Sequence, residues 1–249
     1  MNRVGGRRSA VGGRRSVAVA AFVVALASCG REPNSGNAQT TRANVNAPSP
    51  STADRRPPTT DRGSTDARRT ILFIGTSLTA GYGLDPDSAY PQMVQRMLDS
   101  AGLAYNVVNA GVSGETSSAL LTRLDWLMRQ AVDVVVIETG ANDGLRGIPV
   151  ETMARNVQEI VTRVRASHPA ARVVLVQMEA PPNLGDSYTR RFHGVFPDVA
   201  KRTGVILMPF LLQGVAGIRD LNQGDGIHPN NDGERIVARN VMKALRPLL

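Results

Sequence analysis

The sequence predicts an α/β domain of three layers, a parallel five-stranded sheet covered by helices on both sides. Two observations carry the prediction. Short runs rich in β-branched residues alternate with stretches of helical apolar spacing along residues 70–249, and that alternation builds strand–helix–strand units. The middle runs, DVVVIE at 133–138 and RVVLVQ at 172–177, are apolar almost without a break, as strands buried on both faces are.

The first strand is ILFIG at 71–75, the second YNVVN at 105–109, and the fifth and weakest VILM at 205–208. Helices are expected at 90–100, 117–130, 150–167, 188–202 and 232–245. Ligands of such sheets bind beyond the carboxyl ends of the strands, so the polar residues that follow each strand carry the functional information. They are GTSL at 75–78, NAGVSGET at 109–116 and GANDG at 140–144, joined by DGIHPN at 225–230 just before the last helix.

The chain has 249 residues and a net charge of +8, but the charge is unevenly placed. Residues 1–29 hold five Arg and no acid, residues 30–69 hold seven Arg against four acids, and residues 70–249 hold seventeen bases against seventeen acids. A domain without net charge lacks the broad positive field that phosphate-backbone binding needs, which argues against nucleic acid as a partner. One cysteine excludes an internal disulfide and a thiolate zinc cluster, and three histidines leave little for an all-histidine metal site. No metal and no organic cofactor are expected.

Residues 1–28 read as an export signal: paired arginines, an apolar run VAVAAFVVAL at 17–26 and small residues before Cys29. That run is too short to span a bilayer. The ending Leu26-Ala27-Ser28-Cys29 resembles a bacterial lipobox, which implies diacylation of Cys29, and two acyl chains anchor a protein stably where one does not. The expectation is a membrane-anchored lipoprotein, on the outer membrane or in the periplasm of a double-membraned host; a plain signal peptide giving a free periplasmic or secreted protein is the alternative. Residues 29–69, rich in Pro, Ser and Thr and poor in large apolar side chains, cannot bury enough surface to offset chain entropy. They are expected to form a tether with a reach of roughly 30–40 Å. The folded domain is then 70–249.

Together the four polar segments resemble the SGNH (GDSL-like) hydrolase family, closest to its lysophospholipase, thioesterase and arylesterase branch, over essentially the whole domain. The resemblance implies a flavodoxin-like fold, a Ser77 nucleophile, His228 as general base and Asp225 to orient it. It also implies an oxyanion hole built from the Ser77 N–H, the Gly111 N–H and the Asn142 side-chain amide. The chemistry is coherent: an ester needs a nucleophile, a base, a group that fixes the base's tautomer, and donors aimed at the negative charge of the transition state. One residue departs from the family, which usually has Asp where Thr76 stands; the triad acid is Asp225, so the mechanism survives the change.

Other residues fit structural roles. Ser113 lacks the Gly-x-Ser-x-Gly surround of an esterase elbow, His168 and His193 read as helix-surface residues, and Asp143 as a helix-entry residue. Trp126 is expected in the core. Glu138 ends a buried strand, which points to a hydrogen-bonded structural carboxylate, and no second carboxylate pairs with it for glycoside hydrolysis. Leu145, Ile148, Pro181 and Pro182 are expected to line the acyl side of the cleft. The expected function is hydrolysis of short-to-medium acyl esters, thioesters or lysophospholipids through an acyl-enzyme. A carbohydrate O-deacetylase with the same triad and an idle surface lipoprotein are the alternatives.

Overall fold

The computed structural model describes residues 68–249. The signal segment, Cys29 and all but the last two residues of the expected tether lie outside the described residues. Five strands form one parallel sheet: β1 (Arg69–Gly75), β2 (Tyr105–Gly111), β3 (Val134–Ile137), β4 (Arg172–Val176) and β5 (Ile206–Met208), in the order β2-β1-β3-β4-β5. Among the described residues seven α-helices accompany them: α1 (Ser77–Ala80), α2 (Tyr90–Ser100), α3 (Ser117–Leu127), α4 (Ala141–Leu145), α5 (Val150–Ser167), α6 (Asp186–Thr203) and α7 (Asn231–Leu245). The predicted class and all five strands are present, with ends displaced by a few residues. The short helices α1 and α4, one turn each, had no periodicity to announce them.

Apolar runs explain the sheet's position. Ile71, Leu72, Phe73 and Ile74 are fully buried, as are Val135 and Ile137 of β3 and Val174, Leu175 and Val176 of β4, so neither face of the central strands meets water. Helix α2 packs with α7, while α3, α5 and α6 form a second layer. In α3 the buried residues Leu120, Leu124 and Leu127 recur at helical spacing. Trp126 falls off that stripe and is 65% exposed, which corrects the expectation that it packs in the core.

Two polar devices close the packing. Pro197 lies inside α6 and has no N–H to give to the carbonyl of His193 four residues earlier; the side chain of Gln177, the residue after β4, supplies the missing donor at 3.2 Å. Glu234 reaches from α7 to the start of α2, where its carboxyl accepts the Tyr90 N–H at 2.7 Å.

Glu234 gives the fold a pH dependence. Burial pushes its carboxyl from the ordinary 4.5 up to about 8, against the single pull of the Tyr90 N–H. Across that window the folded chain keeps a proton that the unfolded chain has lost, so stability falls as pH rises through it. Glu234→Gln keeps the acceptor without the titration. In urea melts at about pH 5 and about pH 8, the variant is expected to gain on the parent as pH rises, by about 1 kcal/mol or more at the upper value. Equal pH slopes in the two proteins would refute this.

Candidate active site

Ser77 opens α1. Strand β1 ends at Gly75, Thr76 forms the helix N-cap with an extended backbone, and the chain turns straight into the helix. The Ser77 hydroxyl therefore stands at the carboxyl edge of the sheet, and its N–H, as the first of a helix, has no carbonyl partner within that helix.

Asp225 and His228 share the loop that precedes α7. Asp225 Oδ1 accepts the backbone N–H of Ile227 at 2.9 Å and of His228 at 3.0 Å, while Oδ2 lies 2.6 Å from His228 Nδ1. On the other side of the ring, His228 Nε2 lies 2.8 Å from Ser77 Oγ. Residues 151 apart in sequence thus form one hydrogen-bonded relay. The bond from His228, followed by the two backbone N–H groups, holds the Asp225 carboxyl down at about 2. An ionised Asp225 fixes the proton on Nδ1 and leaves Nε2 able to take one from the serine. The cap of α7 does not compete for these groups, because Asn230 Oδ1 fills it by accepting the N–H of Asp232 and Gly233 at 3.0 and 3.1 Å.

Two residues that sequence reasoning missed hold this loop. The Gln223 N–H donates to the His228 carbonyl at 2.7 Å, and its side-chain amide donates to the carbonyls of Tyr82 at 2.7 Å and Pro229 at 3.0 Å. The Tyr82 ring lies against the His228 imidazole, centroids 4.8 Å apart. A glutamine in a polar loop and a tyrosine between glycines gave no signal of this.

The expected oxyanion donors are only partly placed as anticipated. Asn142 is the second residue of α4, and its Nδ2 donates one hydrogen to the Glu115 carbonyl at 3.0 Å, leaving the other hydrogen for a ligand. Gly111 is a correction. Its N–H donates to Asn109 Oδ1 at 3.0 Å, and a Cβ on it would come within 2.4 Å of the Ala80 nitrogen. Glycine is required there because β2 presses against α1, not because substrate approaches. On the same loop the Gly114 N–H makes no hydrogen bond among the described residues. The Gly114 carbonyl is held by Arg146 at 2.9 Å and the next carbonyl by Asn142, so Gly114 rather than Gly111 offers a donor beside the asparagine amide.

A cleft of about 300 Å³ adjoins the relay, lined by Leu78, Ala141 and Ile227, the chain neighbours of Ser77, Asn142 and His228. Leu145, Pro181 and Pro182 line it as expected, with Met178 and Phe210. Ile148 does not. Its N–H bonds the Asp143 carbonyl and its own carbonyl accepts the Tyr188 hydroxyl at 2.7 Å, which pins it to α6. A larger open groove of about 710 Å³ between α2 and α7 contains none of these residues.

The remaining polar residues have structural partners. Buried Asp143 accepts the Ser117 N–H and hydroxyl at the start of α3; His168 bonds the Gln130 carbonyl at the end of α5, and exposed His193 pairs with Glu179. Among the described residues no group of three His, Cys, Asp or Glu could hold a metal ion.

The chain is similar to several known proteins. The model of the GDSL-like Lipase/Acylhydrolase family matches residues 73–236. Esterase TesA of Pseudomonas aeruginosa is 38% identical over 184 residues, 74% of this chain and 90% of that protein. The thioesterase 1/protease 1/lysophospholipase L1 of Escherichia coli K12 is 36% identical over 184 residues, 74% of this chain and 86% of that one. The crystal structure of the psychrotrophic esterase EstA from Pseudoalteromonas sp., inhibited by monoethylphosphonate, is 35% identical, with a TM-score of 0.69 over 72% of this chain and 98% of that chain. With two-thirds of its length inside the family match and relatives that align nearly end to end, the chain belongs to the GDSL-like lipase/acylhydrolase family.

Proposed function

We propose that the chain is a serine esterase that cleaves short-to-medium acyl esters, thioesters or lysophospholipids through an acyl-enzyme. The observation that carries the reading is the unbroken relay from Ser77 Oγ through His228 to Asp225 beside an apolar cleft.

Ser77 Oγ attacks the acyl carbonyl as His228 Nε2 takes its proton, and Asp225 stabilises the imidazolium. The oxygen of the tetrahedral intermediate carries the new negative charge and accepts from the Ser77 N–H, the Gly114 N–H and Asn142 Nδ2. His228 returns the proton to the departing alcohol or thiol, leaving Ser77 acylated. Water then repeats the sequence, giving its proton to His228 and releasing the acid. A cleft of about 300 Å³ lies at the low end of the roughly 300–1,000 Å³ usual for small-molecule sites, which favours shorter acyl groups. Its lining of Leu78, Leu145, Met178, Phe210 and Ile227 suits an acyl chain better than a sugar. The names of the relatives, an esterase and a thioesterase/lysophospholipase, agree with this substrate class.

Export with lipidation of Cys29 is the accompanying proposal, supported by the basic, apolar and small-residue pattern that ends at that cysteine. Two acyl chains on Cys29 would give a stable anchor where one would be marginal; no helix among the described residues is long and apolar enough to cross a membrane.

Ser77→Ala is expected to lower hydrolysis of p-nitrophenyl butyrate by at least about a thousandfold and to abolish labelling by a fluorophosphonate, with activity in that variant refuting the assignment. Asp225→Asn leaves the geometry but permits the wrong imidazole tautomer, and kcat should drop by roughly 10⁴-fold with KM little changed. Preference for acetylated sugars over butyrate esters in the parent would favour the deacetylase alternative. Labelled palmitate should enter the parent and not Cys29→Ala; equal incorporation would remove the anchor.

A further inference from the structure

We propose that Glu138 is a positioning residue for the nucleophile, a buried carboxylate that holds the 75–79 turn so that the Ser77 hydroxyl and N–H keep their places. The inference rests on the reading of Ser77 as nucleophile.

Glu138 follows the last residue of β3, and its own N–H donates to the Ile74 carbonyl at 2.9 Å, which sets it beside the end of β1. Its side chain is fully buried, and among the described residues it meets no Lys, Arg or His. Instead it accepts three donors, all from the residues that flank the serine. Oε2 takes the Thr76 N–H at 2.7 Å and the Thr79 hydroxyl at 2.9 Å, and the Thr76 hydroxyl lies 3.0 Å from both oxygens. Burial pushes the Glu138 carboxyl up and the Thr76 and Thr79 donors pull it partly back down; with the Thr79 hydroxyl donating to Glu138 Oε2, the Tyr90 hydroxyl, 2.8 Å from Thr79 Oγ1, becomes the donor of that contact. Hydrogen-bond direction is thus fixed along Tyr90, Thr79 and Glu138.

The turn is shaped around this group. A Cβ at Gly75 would come within 1.9 Å of Thr79 Oγ1 and 2.7 Å of Glu138 Oε2, so only glycine lets the carboxylate sit beneath the chain. Taking a carboxylate out of water costs several kcal/mol, and apolar residues of similar volume often stabilise a fold as well or better. Stability alone therefore gives no reason for Glu138. Position does. The plane of the peptide between Thr76 and Ser77 sets the direction of the Ser77 N–H, and Glu138 holds Thr76 by its backbone N–H and by its side chain. Thr76 meets the carboxyl with a hydroxyl donor, where an ionised Asp would set acceptor against acceptor.

The test uses the full-length protein, with kcat and KM for p-nitrophenyl butyrate, active sites counted by fluorophosphonate labelling, and folding followed by circular dichroism. Glu138→Gln keeps the size but turns one acceptor into a donor facing donors. Its kcat per labelled site should fall by about 10–100-fold with KM nearly unchanged, the scale expected when reacting atoms are misplaced by an ångström or less. Thr76→Val should fall similarly, Thr76→Ser should stay close to the parent, and the Thr76→Val/Glu138→Gln double variant should be no worse than the poorer single. A folded Glu138→Gln with parental kcat, or losses that add in the double variant, would overturn the proposal. Should Glu138→Gln fail to fold, the contrast between Thr76→Val and Thr76→Ser decides, and equal activity in those two overturns it. Activity surviving in Ser77→Ala would remove the nucleophile reading itself, whereas an inactive Ser77→Ala beside an unimpaired Glu138→Gln would remove only the positioning role.

Discussion

Strand β1 is hydrogen-bonded in parallel to β2 on one side and to β3 on the other, with Gly75 opposite Gly111 and Ile74 opposite Ile137. The chain leaves β1 toward one edge of the sheet and later returns on its other side to begin the second half, so the connections after β1 and β3 diverge and open a crevice between them. Ser77 stands two residues beyond the end of β1, and Asn142 five beyond the end of β3. A nucleophile and an amide donor from distant parts of the chain come together because backbone pairing, not side-chain contact, fixes their supports. The full burial of residues 71–74 makes a one-residue slip in that pairing costly, since every side chain would have to repack against the opposite helix layer.

The base is held by a different physical device. The loop carrying Asp225 and His228 belongs to no strand, and its shape comes from local hydrogen bonds: Asp225 Oδ1 on two backbone N–H groups, Gln223 on the carbonyls of Tyr82, Pro229 and His228, and Asn230 capping α7. These bonds do more than order the loop. The same donors that shape it keep Asp225 ionised, and the charge in turn holds the imidazole. Folding of the segment and electrostatics of the relay are one set of contacts.

Much of this was legible in the sequence, for physical reasons that differ by element. Strands β1, β3 and β4 announce themselves because burial on both faces demands unbroken apolar runs, and α2, α5 and α7 because each buries one stripe. Ser77, Asp225 and His228 were legible through a resemblance, because four polar segments in order at one sheet edge carry a family's pattern where any one of them alone would read as a turn or a cap. Gly111 misled because glycine has two uses, letting a ligand approach a backbone or letting two backbones approach each other; only the contact with Ala80 tells them apart. Trp126 misled because one aromatic residue in an apolar helix does not reveal on which side of the stripe it falls. Gln223 and Tyr82 were silent because their work is done across more than a hundred residues of chain by a side-chain amide and a ring face.

The cleft wall has a separate origin from the reacting groups. Pro181 and Pro182 belong to the segment between β4 and α6, which contributes no atom to the Ser77–His228–Asp225 relay. Its ends are fixed by a sheet strand and by a long helix, both buried in the common core. For an engineer this makes the wall an interchangeable part: the segment can be lengthened, shortened or rebuilt to admit bulkier acids while the proton-transfer machinery stays on its own scaffold.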